Sequence, residues 1–214
     1  MKFIYIHPLP VRIWHWLNAL GFLLLIATGV QIRYLDLFQV LSFRTAVVAH
    51  NYIGFALIAN YFLWLCFYLF TDKISVYLPE MNAKKYFEDS WRQLKFYGYG
   101  IFLGEENPHH PTIHHKFNPL QIMMYQIIML LCMPILFVSG LLLWDVQQFS
   151  GIVNMLGGVR VVANVHVLMF VVFVGFLLMH LYLITLGHSR FAHIKAMITG
   201  FEEIHDKPEA KTKA

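Results

Sequence analysis

The stretch VHVLMFVVFVGFLLMH, Val165 to His180, decides the fold. No Asp, Glu, Lys or Arg occurs anywhere from Val161 to Leu186. A run of that length exceeds the roughly 18 apolar residues that mark a membrane-crossing helix. Ionisable side chains are costly in hydrocarbon and mark functional positions, so His166 and His180, fourteen residues apart, need a purpose. At about 100° per residue the two imidazoles fall within about 40° of each other on the helix surface, about 21 Å apart along its axis. One helix face thus offers a metal-ligating nitrogen near each side of a bilayer.

The rest of the chain agrees with a membrane setting. Of 214 residues, 58% are hydrophobic and 13% charged, against about 25% charged in soluble domains. Further uncharged or nearly uncharged runs cover Ile13 to Ile32, Thr45 to Thr71 and Leu120 to Trp144. The expected fold is an all-α integral membrane protein, a four-transmembrane-helix bundle with spans at about 13–33, 45–71, 119–144 and 160–186. Residues 1–205 form a single domain, and the polar tail 206–214, DKPEAKTKA, is expected to be disordered.

Charge distribution sets the orientation. Of the sixteen Lys and Arg residues, thirteen lie in the N-terminus, the loop between the second and third spans, and the C-terminal segment. Only Arg33, Arg44 and Arg160 lie on the other side. The positive-inside rule places both termini in the cytoplasm. This distribution explains the net charge of +4 without a nucleic-acid partner. The first span lacks a small-residue cleavage site and is expected to be retained. Within the long inner segment, MNAKKYFEDSWRQLKFYGYG interleaves aromatic and basic residues. An amphipathic helix over about 82–97 at the cytoplasmic headgroup level is expected, an ordinary solvated helix being the plain alternative. The two cysteines, Cys66 and Cys132, lie in different spans, and no CxxCH or CxxC occurs. Covalent c-type haem and cysteine-ligated clusters are excluded from this chain.

Four of the twelve histidines lie within the spans: His15, His50, His166 and His180. Depth sorts them into an outer pair, His50 with His166, and an inner pair, His15 with His180. Neutral imidazole is an axial ligand of haem iron, and bundle cofactors are held by side chains on facing helices. Two bis-histidine b-type haems account for all four. Isolated helix–helix hydrogen bonds are the plain alternative. A proton relay is the functional one, although no Asp or Glu occurs within the four runs. Gly21, Gly54 and Gly175 lie near these histidines, as room for a porphyrin or as close helix contacts.

PVRIWHWLNALGFLLLIATG, AHNYIGF, FNPLQ and the ending VHVLMF…MHLYLI with FAHIKAMITGFEE resemble the membrane cytochrome b subunits of Ni–Fe hydrogenases, formate dehydrogenases and thiosulfate reductases. The thiosulfate reductase type is nearest in character. The resemblance spans nearly the whole chain, with the RxWHW opening and the fourteen-residue histidine spacing as its most specific parts. It implies that His15 and His180 hold an inner haem and that His50 and His166 hold an outer one. It also implies a menaquinone or ubiquinone beside the inner haem, at Asn118 and Gln121. Those two residues at a span mouth suit a quinone carbonyl, and equally a helix cap with a headgroup contact. The cluster His109, His110, His114 and His115 departs from the resemblance; a metal, quinone protonation or plain solvation would each explain it.

No substrate-converting domain is recognisable. The expected role is a membrane-anchor, electron-transfer subunit in a bacterial or archaeal inner membrane, surrounded by lipid. It would link quinone to a periplasmic iron–sulfur or multihaem subunit and a catalytic subunit of hydrogenase, formate dehydrogenase or thiosulfate reductase type. The alternatives are a stand-alone membrane cytochrome b and a haem-free transporter or anchor. Arg12, Arg44 and Arg160, at span ends near the haem depths, are propionate partners or topology signals.

Overall fold

The computed structural model describes residues 2–36, 39–71, 82–109, 117–186 and 189–204. The first element is a strand, β1 (Lys2–Tyr5), followed by α1 (Leu9–Arg33) and α2 (Phe43–Leu69). Pro8 and Pro10 open α1, where a missing N–H costs no intrahelical bond. Ser42 caps α2 by accepting from the Thr45 N–H at 3.2 Å. Next come α3 (Ala83–Gly98), capped by Asn82, and a 3-10 turn at Gly100–Leu103.

The third membrane rod is built in three pieces: α4 (Pro119–Tyr125), a π-helical segment (Gln126–Cys132) and α5 (Met133–Trp144). The Met133 N–H bonds the Ile128 carbonyl, five residues back. In that register the partner of the Met129 carbonyl would be the amide of residue 134, which is proline and has no N–H. The Tyr61 hydroxyl from α2 donates to that carbonyl instead, at 2.9 Å. Proline thus frees an acceptor, and the neighbouring helix satisfies it.

A short helix, α6 (Ser150–Met155), turns into α7 (Val159–Leu183) through Gly157 and Gly158. Both have φ near +95°, which favours residues without a Cβ. The chain closes with α8 (Ala192–Thr199) and β2 (Phe201–Ile204). Strand β2 pairs antiparallel with β1, Tyr5 opposite Phe201. This two-stranded sheet was not expected from the sequence; it leaves the membrane architecture all-α and joins the segment before α1 to the segment after α8.

Among the described residues, four helical rods are long and apolar enough to cross a membrane: Leu9–Arg33, Phe43–Leu69, Pro119–Trp144 and Val159–Leu183. The closest backbone packing is within two hairpins, α1 with α2 and α5 with α7. Between the hairpins a buried cluster of Tyr61, Trp64, Met129, Met133, Met169 and Phe173 holds the centre. Phe22 of α1 stacks on Phe173 of α7 at 5.1 Å between ring centres. Phe173 lies seven residues from each of His166 and His180, at the middle of the fourth span.

Helix α3 has three faces. Tyr86, Ser90, Gln93 and Phe96 are buried. Phe87, Trp91 and Leu94 are exposed apolar side chains on a second face. The third is charged, with Lys84 paired to Glu88 at 3.9 Å and Arg92 to Asp89 at 3.6 Å. His110, His114 and His115, Lys73 and Lys116, and the tail 206–214 lie outside the described residues.

Candidate functional site

The four span histidines come together in two pairs, at opposite ends of the bundle. His50, near the start of α2, faces His166, near the start of α7, with 6.4 Å between ring centres. His15, near the start of α1, faces His180, near the end of α7, at 6.1 Å. A metal–imidazole bond of about 2 Å, plus about 1 Å from nitrogen to ring centre, separates two axial imidazoles of one iron by about 6 Å. Both pairs have that spacing. Each pair also bridges the two hairpins, where α7 makes no backbone approach to α1 or α2 like those within the hairpins. The donor set of four half-buried imidazoles therefore suits two bis-histidine haems.

The His50–His166 pair is held by residues that the sequence reading did not single out. Thr28 Oγ1 of α1 lies 2.9 Å from His50 Nδ1. Ser139 Oγ of α5 lies 3.0 Å from His166 Nδ1. Each hydroxyl residue is followed by a glycine packed on the same imidazole. A Cβ on Gly29 would sit 3.3 Å from His50 Cε1, and one on Gly140 would sit 3.2 Å from His166 Cε1. The signal was present as Thr-Gly and Ser-Gly in two apolar runs, but nothing local says which residue they face. Of the glycines named from sequence, Gly21 is a close helix contact, since an added Cβ would meet Leu57 Cδ2 at 2.6 Å. Gly54 and Gly175 border open space.

At the His15–His180 end the RxWHW motif divides its tasks. Arg12 Nη1 and Trp16 Nε1 donate to the last-turn carbonyls of α8, Ile198 and Met197, the latter at 3.2 Å. A cation at a helix C-terminus also opposes the macrodipole. Trp14 stacks on Trp64 of α2 at 5.8 Å, anchoring the hairpin. That leaves His15 aimed at His180, whose ring stacks on Phe176 at 6.0 Å. His15 Nδ1 and Arg12 Nε are buried with no hydrogen-bond partner among the described residues. Arg44 and Arg160 are exposed at the starts of α2 and α7, the helices that carry the outer histidines.

Asn118 and Gln121 form a reciprocal capping box at the start of α4. The Gln121 N–H donates to Asn118 Oδ1 at 2.8 Å, and the Asn118 N–H to Gln121 Oε1 at 3.0 Å. Asn118 Nδ2 donates to the Tyr97 hydroxyl at 3.0 Å. Burial pushes that phenol's pKa up, partly offset by side-chain bonds from Asn118 and Gln93. The Tyr182 hydroxyl, two residues beyond His180, donates to the Tyr97 carbonyl at 3.3 Å. The capping box, Tyr97 and the inner histidine pair are thus parts of one connected end of the bundle.

A family model described as prokaryotic cytochrome b561 matches residues 6–200. The chain is also similar to a protein of Escherichia coli (strain K12) named "Putative cytochrome YdhU", 33% identical over 202 residues, covering 92% of this chain and 74% of that one. No solved structure matches the chain.

Proposed function

We propose that this chain, which belongs to the prokaryotic cytochrome b561 family, passes electrons across the membrane between the quinone pool and a periplasmic oxidoreductase partner. The proposed path is two b-type haems, an inner one on His15 and His180 and an outer one on His50 and His166. The observation that carries the reading is the meeting of the four span histidines as two ring pairs, 6.1 and 6.4 Å apart, at opposite ends of the bundle. Each haem supplies reversible one-electron iron chemistry when bound. The chain supplies the axial imidazoles, a dry apolar surround, and the stacked Phe22–Phe173 spacer between the two ends. Arg12 Nε, buried and without a partner among the described residues, is the strongest propionate donor of the three arginines; Arg44 and Arg160 are proposed for the outer haem.

Quinone is proposed at the inner end, beside Asn118 and Gln121. The capping box uses only the two amide oxygens, and Asn118 Nδ2 already donates to Tyr97, so the donors proposed for a quinone carbonyl are Gln121 Nε2 and the Tyr97 hydroxyl. That hydroxyl accepts from Asn118 and keeps its own proton to donate. The partner, an iron–sulfur or multihaem subunit carrying a catalytic subunit, is proposed to dock at the outer end. An electron crossing between the two ends moves against or with about 2.3 kcal/mol per 100 mV of membrane potential, so the reaction is voltage-coupled.

A pyridine-haemochrome assay on the purified chain tests the reading. About two protohaems per chain and two waves in a potentiometric titration are expected. Protein folded without haem would overturn it in favour of a haem-free anchor, and one haem would remove the stacked path.

A further inference from the structure

Each of the two outer imidazoles is gripped along one edge by a hydroxyl residue and the glycine that follows it. Thr28-Gly29 on α1 grips His50 of α2, and Ser139-Gly140 on α5 grips His166 of α7. The same device occurs once in each hairpin. We infer that Thr28 and Ser139 are positioning residues that fix the tautomer and the donor strength of the outer pair. This rests on the reading of His50 and His166 as axial ligands.

The argument begins with the hydroxyl protons. Thr28 Oγ1 lies 2.8 Å from the Leu24 carbonyl, and Ser139 Oγ lies 2.7 Å from the Ile135 carbonyl. A carbonyl only accepts, so each hydroxyl gives its single proton to the preceding turn. Its oxygen can then only accept from the imidazole. Nδ1 of each ring therefore carries the hydrogen, and Nε2 carries the lone pair for a metal. The glycines let the helix backbone approach the Cε1 edge, so the ring cannot turn away from its hydroxyl.

An acceptor on the distal N–H makes a metal-bound imidazole a stronger donor, which favours the more highly charged metal state. The inner pair lacks this feature at His15, whose Nδ1 has no partner among the described residues. The two haem sites are thus electronically unequal, with Thr28 and Ser139 lowering the midpoint of the outer one.

The test is a potentiometric titration of the haem-loaded full chain, with electron paramagnetic resonance of its ferric haems. Thr28→Val keeps the shape and removes the hydroxyl; Ser139→Ala does the same on the other side. Thr28→Val is expected to raise the outer midpoint and shift the outer ferric g-values, with the inner haem unchanged. Ser139→Ala should do the same, and Thr28→Ser should restore both readouts. Loss of the outer haem alone in Thr28→Val, regained in Thr28→Ser, also supports the role. Unchanged midpoints and g-values in both variants would overturn it, as would equal shifts of both haems or a Thr28→Ser protein that behaves like Thr28→Val. Absence of a second haem from the unaltered protein would instead sink the ligand assignment, and this inference with it.

Discussion

At the scale of single residues, the fourth span carries both halves of the proposed path on one face. His166 and His180 each complete a pair with a different helix, so their losses should be separable. His166→Ala is expected to remove the outer haem and leave the inner, and His180→Ala the reverse, read as half the haemochrome signal and one remaining titration wave. Loss of both haems from each folded variant would mean the sites are not independent. The glycines differ among themselves in the same testable way. Gly29→Ala pushes a methyl to 3.3 Å from His50 Cε1, whereas Gly54→Ala enters open space. The first should weaken outer haem retention by about 10- to 100-fold, the range for disturbed support of a metal ligand; the second should leave it unchanged. The histidines were legible in the sequence because depth and rotation along a helix follow from counting residues. Thr28 and Ser139 were not, because which side chain a hydroxyl meets depends on the register between two helices, and no single helix encodes that.

At the scale of elements, the spans were legible from length and apolar composition, since a bilayer leaves the backbone no alternative to helix. The π segment was not. It arises from Pro134 in combination with a tyrosine on another helix, which supplies the bond that proline cannot. Tyr61→Phe should therefore strip the Met129 carbonyl of its donor and cost about 1 kcal/mol, the upper range for such bonds in membranes. In a Pro134→Ala background the restored N–H takes over, and the cost of Tyr61→Phe should shrink toward zero. Reversible unfolding in mixed micelles measures the cycle; equal costs in both backgrounds would detach the tyrosine from the proline. The β1–β2 pair escaped the sequence reading for a related reason. Two four-residue strands have little signal alone, and they pair only because α1 and α8 bring them together through Arg12 and Trp16.

At the scale of the molecule, one end differs from the other in what it can do chemically. The end holding His15 and His180 also gathers α3, the start of α4, α8 and the β1–β2 pair. Its polar groups are amides and phenols linked through Tyr97, Asn118 and Tyr182. The end holding His50 and His166 carries α6 and the two hydroxyl–imidazole contacts. Quinone exchange requires a proton donor that remains neutral and a route from lipid. The His15–His180 end offers both, in the half-buried Tyr97 phenol and the apolar face of α3. Its Phe87, Trp91 and Leu94 are exposed, and burial pushes the Tyr97 pKa up, which keeps the phenol neutral. Tyr97→Phe is expected to slow haem reduction by a quinol analogue at least tenfold, while both haem spectra and midpoints persist. Asn118→Leu should act in the same direction, through loss of the bond that orients the phenol, and should also weaken the α4 cap. The decisive measurement is stopped-flow reduction of the haem-loaded chain in lipid. If Tyr97→Phe reduces at the unaltered rate, and quinone-site inhibitors shift only the His50–His166 haem, then quinone binds at the outer end. Electrons would then enter and leave on one side, and the voltage coupling drawn from the two-ended path would be lost.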